Sequence, residues 1–185
     1  FDMESNDIRG LNYTYNADGY IWKYLGVDKT TARAASENDQ NYIIYRLADV
    51  LLMKAEALIM QGHNEDAADL IDRTRERAGL GETTLSDDRM VMLETLLVER
   101  QKEFFGEGKN WFDLLRIGLR SEQLNDTQYK TLFVEQALKA VGASRQSLGR
   151  ATLANSGSWY LPYSEDELSK NPLLEQSDYY QSISN

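Results

Sequence analysis

Two stretches of helical periodicity, joined by only a few residues, constrain this chain more than any other feature. From Tyr42 to Gln61, the residues Ile44, Leu47, Ala48, Leu51, Ala55, Leu58 and Ile59 form one apolar stripe. Val50, Met53, Ala57 and Met60 form a second, so the predicted helix has two sides to cover. Gly62 stands where a left-handed residue ends a helix. Asn64 is the expected cap of the next helix, with Glu65 and Asp66 facing the positive end of its dipole. Ala67, Ala68, Ile71, Thr74 and Ala78 supply the inner face of that helix, and Gly79 stops it. So short a connection forces the two helices antiparallel, and Ala48, Ala55, Ala67 and Ala68 let their axes approach closely. The pattern is that of one tetratricopeptide-type helix pair, and a single repeat cannot bury its own outer faces.

Downstream the spacing stays helical. Met90, Leu93, Leu97 and Phe104 line a helix expected from Asp87 to Phe105, with Leu96 beside them. Gly106 and Gly108 bracket a sharp corner, and a short helix from Asn110 to Arg116 is expected to insert Trp111-Phe112 into the core. Asp126 is placed to cap a further helix carrying Tyr129, Leu132, Phe133, Ala137, Ala140 and Val141. Ala143 to Ser158, rich in Ser, Gly, Arg and Asn, reads as a surface loop. Ser164 and Glu167 form a capping box for a turn or two of helix, which Asn171-Pro172 closes. The tail from Leu173 has no periodicity, but Leu173, Leu174, Tyr179 and Tyr180 give it apolar residues to lay across the body.

Residues 1–41 read differently. Asn12 to Asn16 and Tyr20 to Leu25 alternate about an Ala17-Asp18-Gly19 turn, which predicts a β-hairpin followed by a polar loop. In a strand, Tyr20, Trp22 and Tyr24 share one face. Sugar rings stack their C–H faces on exposed aromatics, so these three are candidate ligand-binding residues, and Trp159, beside the serine-rich segment, is a fourth. The alternative is that these rings pack on the helices, as large aromatics do in cores.

Composition narrows the chemistry. With 30 acidic and 20 basic residues the net charge is −10, which opposes binding to nucleic acid, whose phosphates need a cationic surface. The chain has no cysteine and one histidine, His63, which excludes thiolate nucleophiles, Cys-ligated zinc and three-histidine zinc sites. No metal or cofactor is expected. Glu99, Glu103 and Glu107 recur every four residues and could be drawn as an acid pair for glycoside cleavage. Arg100, Lys102, Lys109 and Arg116 lie among and after them, and salt bridges are the simpler assignment. Phe1 to Leu11 lacks a basic start and an apolar centre, so any targeting segment is expected upstream.

Three segments, in order, resemble the signature of the SusD/RagB family. The first is Tyr45-Arg46-Leu47-Ala48-Asp49-Val50-Leu51-Leu52-Met53-Lys54-Ala55-Glu56-Ala57-Leu58, followed by the helix ending Thr74-Arg75-Glu76-Arg77-Ala78-Gly79-Leu80. The second runs from Glu99-Arg100-Gln101-Lys102-Glu103-Phe104-Phe105 through Gly106-Glu107-Gly108 to Asn110-Trp111-Phe112-Asp113-Leu114-Leu115-Arg116. The third pairs Leu161-Pro162-Tyr163-Ser164 with Asn171-Pro172-Leu173-Leu174-Glu175-Gln176. Tyr163, Ser164 and Ser177 depart from the usual pattern, and each departure affects only a local turn.

The resemblance implies a mainly α fold, with the tetratricopeptide-like pair inside a SusD-like helical body, long loops and a minor β-hairpin. It implies that 1–41 is a hairpin and loop leading into a C-terminal SusD/RagB-type domain at 42–185, the family's N-terminal half being absent. It further implies a surface lipoprotein of the outer membrane, lipid-anchored through that missing part. Such a protein delivers a glycan or peptide to a SusC-like TonB-dependent outer-membrane transporter, and has no catalytic residues to carry over. A non-enzymatic tetratricopeptide-like adaptor is the alternative.

Overall fold

A computed structural model describes residues 6–11, 13–37 and 39–183. Among them are nine α-helices and no β-strand: α1 (Trp22–Leu25), α2 (Leu47–Gln61), α3 (Asn64–Arg77), α4 (Arg89–Glu103), α5 (Asn110–Leu124), α6 (Thr127–Leu138), α7 (Ala143–Leu153), α8 (Glu165–Lys170) and α9 (Asp178–Ile183). The chain divides into two compact units, Phe1–Leu114 and Leu115–Asn185.

In the first unit α2 packs on both α3 and α4. The expected inner face of α3, from Ala67 to Ala78, is buried throughout, as are Leu93, Leu96, Leu97 and Phe104 of the next helix. Gly62 takes φ +84°, and the His63 amide turns back to the Leu58 carbonyl at 2.9 Å, which closes α2 and reverses the chain. Gly79 ends α3 the same way at φ +78°, with the Leu80 amide donating to the Arg75 carbonyl. Asn64 is not the cap: it lies in the first turn of α3, where its Nδ2 donates to the Ser86 carbonyl at 2.8 Å. Asp88, by contrast, caps α4 by accepting from the Met90 and Val91 amides.

The first apolar stripe of α2 is split: Ala48, Ala55 and Ile59 are buried together with Leu52, which neither stripe included, whereas Ile44 and Leu47 of that stripe are exposed, as are Val50 and Met53 of the second. Trp111 and Phe112 are exposed as well, against the expectation that they insert. The phase of α5 instead turns Asp113, Leu114 and Ile117 inward.

The predicted hairpin does not form. Its turn is present, with Gly19 at φ +82° and its amide on the Asn16 carbonyl. Beyond the turn, the Asn16 amide reaches the Tyr20 carbonyl at 3.1 Å and the Trp22 amide reaches the Thr14 carbonyl at 2.8 Å, but there the pairing ends: Trp22 to Leu25 coils into α1, closed by the Gly26 amide on the Trp22 carbonyl at 2.7 Å. Only isolated bridges remain, Leu11 with Tyr15 and Gly26 with Ala32. Asn12, at the start of the expected first arm, lies outside the described residues.

In the second unit the segment expected to be a loop is α7. The loop reading rested partly on its glycine, but Gly149 is a contact point: a Cβ there would lie 2.6 Å from Leu138 Cδ2, so any larger residue would force the Leu138 side chain to move for α7 to close on α6. α5 also runs on beyond Arg116 through Gly118, where Phe133 and Trp159 approach to 3.0 Å of a Cβ position. Phe133 and Trp159 pack with ring centroids 4.4 Å apart. The Trp159 indole donates to the Leu153 carbonyl at 2.9 Å, so the ring is buried with its one polar atom satisfied. Ser164 caps α8 as expected, accepting from the Glu167 amide. The tail is not aperiodic: α9 sets Tyr179 over Gly157, and Tyr180 donates to the Tyr160 carbonyl at 2.7 Å.

Candidate functional site

Three glutamates spaced one turn apart organise the first unit. Glu99, Glu103 and Glu107 are each at most 3% exposed, and each is surrounded by cations. Arg9, from the N-terminal segment, donates to Glu99 at 2.7 Å, to Glu103 at 3.0 Å and to Asp7 at 2.8 Å. Lys23 of α1 reaches Glu107 at 2.7 Å and the Glu103 carbonyl at 3.1 Å. Arg46, just before α2, bonds Glu103 at 2.5 Å and Glu107 at 2.9 Å, and Arg77 of α3 closes on Glu103. A second layer lies beside it: Arg100 forks onto Asp113 with two 2.8 Å bonds and reaches Asp49 at 2.9 Å, while Lys109 takes the other Asp49 oxygen.

Burial alone would push the Glu103 carboxyl up, but Arg46, and after it Arg77 and Arg9, outweigh burial and hold it below its usual range. Burial likewise works against charge on Arg9, yet Asp7 and Glu99 raise its pKa further. For Lys23 burial wins, and its pKa is lowered despite the Glu107 partner. A glycosidase acid needs a raised pKa and room for a sugar. Glu103 has the opposite shift and is enclosed by arginines, which makes it a clamp.

The clamp also mounts an aromatic pair. Gly106, at φ +79°, lies against Ile21, where a Cβ would fall 2.6 Å from Ile21 Cγ2. At Gly108 a Cβ would sit 2.9 Å from the Tyr42 hydroxyl, which donates to the Glu107 carbonyl at 2.7 Å. Tyr42 so held stacks on Tyr24, with centroids 6.2 Å apart and planes 7° from parallel.

The four aromatics singled out in the sequence therefore separate. Tyr20 is exposed and Tyr24 half-buried, but Trp22 and Trp159 are buried. Trp22 donates to the Asp28 carbonyl at 2.7 Å and packs against Gly26. Residues two apart in a helical turn point to opposite sides, so Trp22 and Tyr24 cannot share a face in α1. Tyr42 is the residue that sequence reasoning left out of the site, because it was assigned to the start of the helix; α2 begins only at Leu47, which leaves Tyr42 in the segment before it. Arg9, Lys23 and Arg46 were also passed over, since their partners lie 57 to 94 residues away.

A cavity of about 340 Å³ opens at the α2–α3 turn, lined by Ile59, His63, Asp66, Leu85, Asp87 and Arg89 among others. No Phe, Tyr or Trp ring lines it, and its only ring is the His63 imidazole. Among the described residues, no group of three or more His, Cys, Asp or Glu side chains is arranged to hold a metal.

Comparison with known proteins places this geometry in context. The model of the SusD family matches residues 4–180. A SusD-like protein of Formosa agariphila is 37% identical over 89 residues, which is 44% of this chain and 18% of the relative. Another from the same organism is 29% identical over 171 residues, 91% of this chain and 28% of the relative. The crystal structure of a SusD superfamily protein from Bacteroides fragilis superposes with a TM-score of 0.52 and 28% identity, covering 74% of this chain and 28% of that one. The chain thus spans less than a third of the length of these relatives.

Proposed function

The chain belongs to the SusD family, whose members generally bind nutrients in association with TonB-dependent transport, and on that premise we propose that it captures an extracellular glycan for a SusC-like outer-membrane transporter. In this proposal it acts without catalysis at the surface of the outer membrane, as the 42–185 C-terminal part of a lipid-anchored protein. Among the described residues no helix is long and apolar enough to cross the membrane.

The observation that carries the binding reading is the exposed Tyr42 ring, held by its bond to Glu107 and backed by half-buried Tyr24, with Tyr20 exposed in the same unit. A ring fixed in this way offers its open face to a pyranose, and a preorganised face loses little side-chain entropy on binding. Trp22 and Trp159 contribute packing.

Isothermal titration against a panel of neutral and acidic polysaccharides and peptides tests this. Tyr24→Ala and Tyr42→Ala are each expected to weaken the best ligand roughly tenfold, about 1.4 kcal/mol. Unchanged affinity in the double variant would remove the platform from the site. Failure of every glycan and peptide, together with saturable binding of a purified protein partner, would favour the adaptor instead.

A further inference from the structure

We propose that Glu107 is a positioning residue for the ring pair: its enclosed carboxylate, through Lys23, sets where Tyr24 lies against Tyr42. The proposal rests on the sugar-binding reading above and gives control of that site to a charge no sugar touches. The two rings come from different segments, Tyr24 from α1 and Tyr42 from the stretch before α2. α1 is a single turn of four residues, too short to hold its own shape in water. One fastening lies beside the ring: the Lys23 ammonium donates to Glu107 Oε1 at 2.7 Å and to the Glu103 carbonyl at 3.1 Å. Four residues after Tyr42, Arg46 donates to the same Oε1 at 2.9 Å. The Tyr42 hydroxyl donates to the Glu107 main-chain carbonyl at 2.7 Å. One residue therefore receives both ring-bearing segments.

The Glu107 side chain is fully enclosed, so these bonds do not depend on what further protein lies outside the chain. The two attachments differ in kind. Tyr42 is held by a neutral main-chain oxygen, with Gly108 so close that a Cβ there would lie 2.9 Å from the hydroxyl. α1 is held by charge, and burial already works against the Lys23 ammonium, whose pKa is lowered in spite of Glu107. Arg46 repels that ammonium, and Glu103 attracts it. Glutamine at position 107 keeps the shape and the main-chain carbonyl, but it leaves Lys23 beside Arg46 without the neutralising charge. A buried ammonium in that position moves to water or gives up its proton, and either way the charge-assisted bond to the corner is gone. The consequence is asymmetric: Tyr24 is released and Tyr42 stays.

Nuclear magnetic resonance of the 185-residue chain with labelled tyrosine tests this without any sugar. In the wild type, nuclear Overhauser contacts are expected between the Tyr24 and Tyr42 rings, whose centroids are 6.2 Å apart, and between the Tyr42 ring and Gly108. Glu107→Gln should lose the ring-to-ring contact and keep the one to Gly108. Lys23→Met, which keeps the stem and removes the charge, should do the same, and Lys23→Arg should keep both contacts. Asp88→Ala, which weakens α4 by removing its cap, should also keep both. In titrations, any polysaccharide that Tyr24→Ala weakens roughly tenfold should be weakened about as much by Glu107→Gln, and no further by the two together. The proposal is overturned if the wild type lacks the ring-to-ring contact, or if that contact survives Glu107→Gln or Lys23→Met. It is equally overturned if both contacts vanish together, if Lys23→Arg or Asp88→Ala removes them, or if Glu107→Gln leaves such a polysaccharide bound as before. Should Glu107→Gln not fold, Lys23→Met decides alone. A protein that shows the expected contacts but binds no polysaccharide would remove the sugar-binding reading and leave the positioning by Glu107 standing.

Discussion

Replacing Glu103 by glutamine is the sharpest test of how the first unit is held together. The substitution keeps the shape and removes one charge. Arg9, Arg46 and Arg77 all lie on that carboxylate, and it is 3% exposed. Removing one partner of a buried ion cluster costs about 3–5 kcal/mol, because the charges left behind stay desolvated. Arg77 is 61% exposed at its side chain and keeps its hydration, so the lower end, about 3 kcal/mol, is expected here. An exposed pair gives the contrast: Lys170 and Asp166 on α8 are both two-thirds exposed, and Lys170→Ala should cost no more than about 0.5 kcal/mol. Since two units need not unfold in one step, hydrogen exchange of the α4 amides is a better assay than a single melting curve. Acid offers an independent check. The folded-state pKa of Glu103 is depressed, so its contribution is complete above the unfolded value and is lost as the pH falls through the folded one. Wild-type α4 protection should therefore decline below about pH 4.5, and the glutamine variant should decline less steeply. A loss below about 1 kcal/mol for Glu103→Gln would refute the assignment of this cluster as the fastening of the unit.

Two further substitutions probe the packing. Gly118→Ala places a methyl 3.0 Å from both Phe133 and Trp159, and such overpacking should lower stability by about 1–3 kcal/mol in urea titrations followed by far-ultraviolet circular dichroism. Asp88→Ala removes the side-chain cap of α4 and should cost about 1 kcal/mol, recovered largely by Asp88→Ser.

Much of this architecture was legible before any coordinates. The inner face of α3, the glycine stops at Gly62 and Gly79, and the caps at Asp126 and Ser164 follow from local rules, because helix periodicity and capping involve residues no more than four apart. Misreadings arose where a distant residue decided the outcome. Gly149 counted towards a loop, but the Leu138 side chain makes it a point of helix contact. Alternation from Tyr20 to Leu25 fits a strand, yet after one bond to the Thr14 carbonyl the segment turns helical, and the Trp22 indole packs over Gly26 to reach the Asp28 carbonyl. The first α2 stripe took in Ile44 and Leu47, which are exposed, and left out the fully buried Leu52, because the phase of the covered face is set by where α3 and α4 pack. The candidate site shows the same division. Exposed Tyr20 and half-buried Tyr24 fit a ligand-binding face, but Tyr42 joins them only through its bond to Glu107, 65 residues on. Trp22 and Trp159 were indistinguishable from ligand platforms until their indole nitrogens were found on backbone carbonyls.

The wide sequence separation of the clamp has a consequence for how the protein is made. Arg9 leaves the ribosome 90 residues ahead of Glu99, and Arg46 precedes Glu103 by 57. At synthesis rates of about 5–20 residues per second, Arg9, already paired with Asp7, waits roughly 5–18 s for Glu99. Throughout that interval the segments carrying Arg9 and Lys23 lack the glutamates that fasten them, so a nascent chain is more open to proteases there, and synonymous changes that slow translation before α4 would prolong the hazard.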